Sequence, residues 1–224
     1  MIITIDGPSG TGKSAVARLL AKKLHFSFFD TGALYRSLSW WICREGIEWN
    51  DIKKSLVRFD FSIQEEDGSK HYFVGKIEVT DEIRKKEITE VASKIAAIKE
   101  VRESLLPIQK NYAKKYDSVF EGRDLGTVVF PDAEVKIFLT ASADIRAKRR
   151  YREILSKNPE EKVKLEEILE SLEKRDSQDS SREIAPLKCP EGAFLLDTSE
   201  LEVDQVVDIL FQYILTKKNS CKAG

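Results

Sequence analysis

The apolar residues of this chain arrive in two rhythms. Short runs at Ile2–Ile5, Phe26–Phe29, Ser118–Glu121, Val135–Leu139 and Phe194–Leu196 have strand length and are spaced by segments of helical periodicity. That alternation predicts an α/β fold, a parallel sheet with helices on both faces. Residues 14–24 place Val16, Leu19, Leu20 and Leu24 on one helical face. A closing helix carries Val203, Val206, Val207 and Leu210, preceded by Ser199 and Glu202 at the spacing of a capping box. Residues 59–79 break the rhythm. They alternate with period two, with turn residues at Asp67–Gly68 and Gly75, and predict a small antiparallel meander inserted in the α/β core.

Two helical stripes change character along their length. One helix is expected from Thr80, as cap, to about Leu106. Its stripe runs Ile88, Val91, Ile95, Ile98 and Leu105, with Arg102 in the missing step and Arg84 one turn before Ile88. A second stripe reads Leu165, Ile168, Leu172 and then Arg175, Asp179, Arg182. A cation on a buried face is costly unless an anion meets it. Either these arginines reach a ligand, or they snorkel and pair within their own helices. The segment DIRAKRRYR adds Arg146 and Arg150, four apart on one face.

The first strand runs directly into GPSGTGKS, residues 7–14, the spacing G-x-x-x-x-G-K-[ST]. Such a loop wraps its backbone N–H groups around phosphate oxygens, its lysine reaches the terminal phosphates, and its hydroxyl helps hold Mg²⁺. Gly7, Pro8, Ser9, Gly10, Thr11, Gly12, Lys13, Ser14 and Ala15 are therefore the expected residues for binding a nucleoside triphosphate, ATP on the resemblance given below. The strand before and the helix after supply the required context, with the helix N-terminus aimed at the phosphates. Strand ends reading IDGPSG, FFDTGALYR and FEGRDLG bring Lys13, Arg36 and Arg123 to one rim.

Bulk properties narrow the function. The chain has 224 residues and a formal net charge of −1, which argues against a general nucleic-acid or membrane-surface binder. No apolar run is long enough to span a bilayer, and no secretory signal is legible. Cys43, Cys189 and Cys221 are an odd number without C-x-x-C spacing, which suits reduced thiols in the cytoplasm. His25 and His71 are isolated, and no nucleophile–base pair or metal-ligand cluster is visible. Many arginines and no base fit phosphoryl transfer to an acceptor that is itself a phosphate: it already carries about −1.5 to −2 charges near pH 7 and needs no base to attack.

On TIDGPSGTGKS, DTGALYR, ASKIAAIKEVRESL, EGRDLGTVVFPDAEVKIFL, RAKRR, RDSQDSSREIAPL and LLDTS, the sequence resembles the bacterial cytidylate kinases of the nucleoside monophosphate kinase family over nearly its whole length. The resemblance implies a five-stranded P-loop kinase core from residues 1–30, 117–145 and 187–224. It implies a monophosphate-binding lobe at 31–116 carrying the β insert, and a helical lid at 146–186. The implied reaction moves the γ-phosphate of ATP to CMP or dCMP, with Mg²⁺, in a cytoplasmic monomer. Thr31 and Arg36 would lie at the acceptor phosphate and sugar. Ser93, Arg102 and Asp124 would read the cytosine, Arg123 and Arg182 would hold the acceptor phosphate, and Arg175 and Asp179 would contact the sugar. Arg146 and Arg150 would be lid arginines, forming the catalytic set with Lys13, Arg123 and Arg182. Arg84 is placed only by its stripe. The alternatives are another P-loop kinase of the shikimate or gluconate type, or a UMP kinase; a regulatory GTPase would need an N-K-x-D stretch that is missing.

Overall fold

A strand with neighbours on both edges and helices over its faces has to be buried throughout. Ile3, Thr4, Ile5 and Asp6 are all wholly buried, and they lie on the central strand. The computed structural model describes residues 1–66 and 69–220. In chain order the first elements are β1 (Ile2–Asp6), α1 (Lys13–Leu24), β2 (Ser27–Asp30), α2 (Thr31–Glu45), α3 (Ile52–Ser55), β3 (Phe61–Glu66), β4 (Ser69–Val74) and β5 (Ile77–Glu78). After them come α4 (Lys86–Ile95), α5 (Lys99–Lys115), β6 (Ser118–Glu121), β7 (Val135–Thr140), α6 (Ala143–Lys157), α7 (Leu165–Ser180), β8 (Phe194–Asp197) and α8 (Val203–Ser220). The chain divides into two units, one of Met1–Phe29 with everything from Ala113 onward, the other Asp30–Tyr112.

The first unit is built on a five-stranded parallel sheet in the order β2-β6-β1-β7-β8. Four strands run one residue past their expected ends, into Asp6, Asp30, Thr140 and Asp197. On one face Val16, Leu20, Val206, Leu210 and Ile214 of α1 and α8 pack on Ile3, Ile5, Val119, Ile137 and Leu139. On the other face Phe120 lies between Phe29 and Phe130, with ring centroids 5.2 and 4.5 Å away. Leu19 is not part of the buried face of α1: it is 39% exposed, because Val16, Ala17, Leu20 and Ala21 already fill the stripe that meets the sheet. The cap of α8 is also displaced. The Ser199 hydroxyl donates to Asp197 and accepts from the Ser142 N–H, while the Glu202 N–H donates to the Gln205 side chain at the helix start. Helices α6 and α7 share a small apolar cluster of their own, Ala147, Ile168 and Leu172.

The second unit holds α2 and an antiparallel sheet in the order β3-β4-β5, the meander expected from the sequence. Gly75 turns it at φ +57°; the expected turn at Asp67–Gly68, like Cys221, lies outside the described residues. The single helix expected after it is instead a short turn at Glu82–Arg84 followed by α4 and α5. Thr80 cannot cap a helix there, because its hydroxyl accepts the Tyr72 N–H and donates to Glu78. The break between α4 and α5 tightens into shorter-range hydrogen bonds at Ala97 and Ile98, and the Arg102 guanidinium caps the Ala96 carbonyl at 3.1 Å. Arg84 is exposed, and its neighbour Ile83 takes the buried place.

Candidate active site

The loop Gly7–Gly12 leaves β1 in a conformation that only glycine permits. Gly7 has φ +145°, and a Cβ there would sit 2.1 Å from the Leu139 carbonyl oxygen. Gly12, at φ +88°, hands the chain to α1 and accepts the Val16 N–H at 3.0 Å. The Lys13 side chain folds back over the loop, donating to the Pro8 carbonyl at 2.5 Å and to the Thr11 hydroxyl at 3.4 Å. Burial, followed by the field of Arg123, pushes its ammonium well below the usual lysine range. Glu121 pulls the other way, Arg175 adds to the depression, and Asp6 opposes it. An arriving polyanion would reverse that balance.

The second stripe meets its partners in the same unit, partly within its own segment, Arg182 lying three residues from Asp179. Asp179, 1% exposed, takes the Arg123 Nε at 3.0 Å on one carboxylate oxygen and the Arg182 guanidinium on the other. Arg182 lies beyond the end of α7, so its alignment with the stripe is continued by an irregular turn. Two cations sharing one carboxylate leave positive charge over, beside Lys13 and Arg175. Arg123 also donates to its neighbouring Gly122 carbonyl at 3.1 Å. Asp124 is buried, and its backbone carbonyl opens the turn Leu125–Val129 by accepting the N–H groups of Val128 and Val129.

Arg146 and Arg150 of α6 part company. Arg146, 7% exposed, donates to the carbonyls of Ala141 and Ser9, each at 3.0 Å, and pairs with Asp176. Asp176 in turn accepts the Ser9 N–H at 3.0 Å. Arg150 points outward and pairs with Glu153 at 2.6 Å. It does not converge with the others.

In the second unit Asp30 caps α2 through the Ala33 N–H at 2.8 Å and pairs with Arg36 at 3.0 Å. Gly32 makes room for that pair: a Cβ there would lie 2.8 Å from the Arg36 guanidinium. Thr31 is buried at the first position of α2, and Ser93 is half-buried on α4. The Arg102 guanidinium also lies over the Tyr35 ring, 5.8 Å from its centroid.

Several residues escaped the sequence reading. Asp6 and Asp176 stand next to flagged positions but carry no spacing signal of their own. Arg149 donates to the Thr198 hydroxyl at 3.0 Å and to the Leu201 carbonyl at 3.1 Å, and Thr198 lies within hydrogen-bond reach of the Thr11 carbonyl. Only the LLDTS motif hinted at that link. Among the described residues no cluster of three or more His, Cys, Asp or Glu could hold a metal ion.

The family described as Cytidylate kinase matches residues 3–216. The chain belongs to the cytidylate kinase family. A cytidylate kinase of Protochlamydia amoebophila is 50% identical over 228 residues, spanning 98% of this chain and all of that one. A cytidylate kinase of Carboxydothermus hydrogenoformans is 44% identical, spanning 98% and 99%. An uncharacterized protein from Eubacterium ventriosum shares the fold, with a TM-score of 0.51 at 13% identity over 96% of this chain and 98% of that one. The phosphate loop and the Arg123–Asp179–Arg182 group both fall inside the part of the chain that matches the cytidylate kinase family.

Proposed function

We propose that this chain transfers the γ-phosphate of ATP to CMP, and to dCMP, giving CDP or dCDP and ADP. The observation that carries the reading is the buried carboxylate of Asp179 held between Arg123 and Arg182, in the unit that also carries the phosphate loop. One polyanion is accounted for by the loop. A second cationic group, Arg123 and Arg182 on Asp179, suits an acceptor that is also a phosphate. Its oxygen attacks the γ-phosphorus, the bond to the β,γ-bridging oxygen breaks, and the electron pair leaves with ADP. Lys13, Arg123, Arg182 and Arg146 neutralise the charge that develops between the two phosphates.

The names of the relatives support cytosine as the base; we assign Ser93, Arg102 and Asp124 to its edge, Thr31 and Arg36 to the acceptor phosphate and sugar, and Arg175 and Asp179 to the sugar. Residues 146–186, with their own small apolar cluster, serve as the lid. The exposed Ser14 hydroxyl at the start of α1 is a hard oxygen ligand, and the donor chemistry around it fits a Mg²⁺ ion held mainly by the nucleotide's phosphates. When bound, such an ion would supply charge neutralisation at the phosphates. Among the described residues no helix is long and apolar enough to cross a membrane. Three cysteines without C-x-x-C spacing support a reducing, cytoplasmic setting, and a monomer is our reading of the assembly.

A coupled ADP-release assay with CMP, dCMP, UMP, AMP and GMP tests the reading. CMP and dCMP should be turned over well and UMP more slowly, because a site built to pair a polar edge rejects the wrong one. A folded protein that prefers a purine monophosphate, or accepts none of the five, would overturn it.

A further inference from the structure

Asp6 is a carboxylate with no exposure at all, at the carboxyl end of the central strand. It is the residue before Gly7, so the phosphate loop starts from it. Both of its oxygens are occupied by consecutive backbone donors: the Leu125 N–H at 2.9 Å on one and the Gly126 N–H at 2.8 Å on the other. Leu125 and Gly126 immediately follow Arg123 and Asp124.

The contact is close along its whole length. A Cβ on Gly126 would meet Pro190 Cγ at 2.7 Å and Thr4 Oγ1 at 3.1 Å, so the turn lies on β1 with no space for a methyl group. Thr4 and Asp6 point to the same face of the sheet, as alternate residues of a strand must. Thr4 receives the turn by contact and Asp6 by hydrogen bonds.

A buried carboxylate is an expensive way to hold a turn. Burial holds Asp6 up at about 7, even against the lowering by the Gly126 and Leu125 N–H groups. Asp124 adds to the rise and Lys13 opposes it. Packing alone could hold the turn without a charge. A bidentate carboxylate adds direction, because two N–H groups in fixed order admit one register of the turn against the strand.

We propose that Asp6 is a positioning residue that sets the distance between donor and acceptor: it ties the strand that launches the ATP-binding loop to the turn that carries Arg123 and Asp124. This rests on the functional reading above. Asp6 touches neither nucleotide and acts through the turn. In a transfer between two phosphates the spacing of the two half-sites is itself a catalytic variable, since a misplacement of about 1 Å can cost on the order of a hundredfold.

Two variants approach the clamp from opposite sides. Asp6→Asn keeps the shape but replaces one acceptor oxygen by an NH₂ group facing an N–H. Gly126→Ala leaves Asp6 intact and pushes the turn away from Thr4 and Pro190. In each we would measure kcat, KM for CMP, KM for ATP and the melting transition. The expected result in both is a rise of roughly tenfold to a hundredfold in KM for CMP with a fall in kcat, while KM for ATP stays within about threefold. Equal damage to both KM values, or an unchanged KM for CMP in a folded variant, overturns the proposal. If one variant fails to fold, the other decides. If neither folds, Asp6 is a purely structural carboxylate and the proposal falls. A wild-type protein inactive on CMP ends both this proposal and the functional reading; an active wild type with no split in the variants ends this one alone.

Discussion

Arg102 on α5 and Arg182 beyond α7 share one sequence signature, a guanidinium in line with an apolar stripe, and they are satisfied in different ways. Arg102 donates to the Ala96 carbonyl, where one helix stops and the next begins, and lies over the face of Tyr35. Arg182 meets a buried carboxylate that it shares with Arg123. The first arrangement fixes the direction of a planar set of donors, which suits reading the edge of a base. The second concentrates charge, which suits gripping a phosphate. A cation on a stripe therefore marks where polar chemistry enters a buried face, and its partner decides which chemistry that is.

Three substitutions separate these arrangements. The largest effect is expected from Asp179→Ala. It strands two arginines beside each other, and removing one partner of a buried pair costs about 3–5 kcal/mol. The kcat/KM for CMP should fall by roughly a hundredfold or more, with a clear drop in melting temperature. A melting temperature unchanged from wild type would mean that the pairing carries no structural weight. Arg102→Ala should act more narrowly. Loss of a helix-end partner costs about 1 kcal/mol, while KM for CMP should rise about tenfold and the preference for CMP over UMP should narrow. Steady-state kinetics with both substrates checks this, and a loss as large as that of Asp179→Ala would erase the contrast. Arg150→Ala should do least. Its ion pair with Glu153 is half-exposed on both sides, and such pairs contribute about 0–1 kcal/mol. Turnover within about twofold of wild type is expected; a tenfold loss would return Arg150 to the catalytic set.

Much of this was legible in the chain. The phosphate loop has a spacing that few other structures need, and the five strands announced themselves as short apolar runs between helices. The Arg175–Asp179–Arg182 stripe also stood out, because the helical period continued while the chemistry changed. What stayed hidden depends on distance in sequence. Nothing near Asp6 indicates that its partners are Leu125 and Gly126, and nothing near Asp176 indicates Ser9 and Arg146. The split between α4 and α5 was hidden for a local reason: residues 95–99, Ile-Ala-Ala-Ile-Lys, contain neither glycine nor proline, and the break is held by a side chain from the following helix. Arg84 misled because it continued the period of a helix that begins only after it.

The order of strands also has a meaning in time. The central strand β1 pairs with two strands that both lie far along the chain from it. Ile2 pairs with Ser118 and Ile3 with Val135, so neither edge of the central strand is covered until most of the chain exists. Closing such long loops comes before the contacts that reward it, and proteins dominated by distant pairings fold slowly. The unit Asp30–Tyr112 is continuous in sequence and its sheet is a local meander, so its strand pairings form between near neighbours. On a ribosome the inserted unit can therefore organise first. The strand that launches the phosphate loop thus depends on partners more than 110 residues further along the chain.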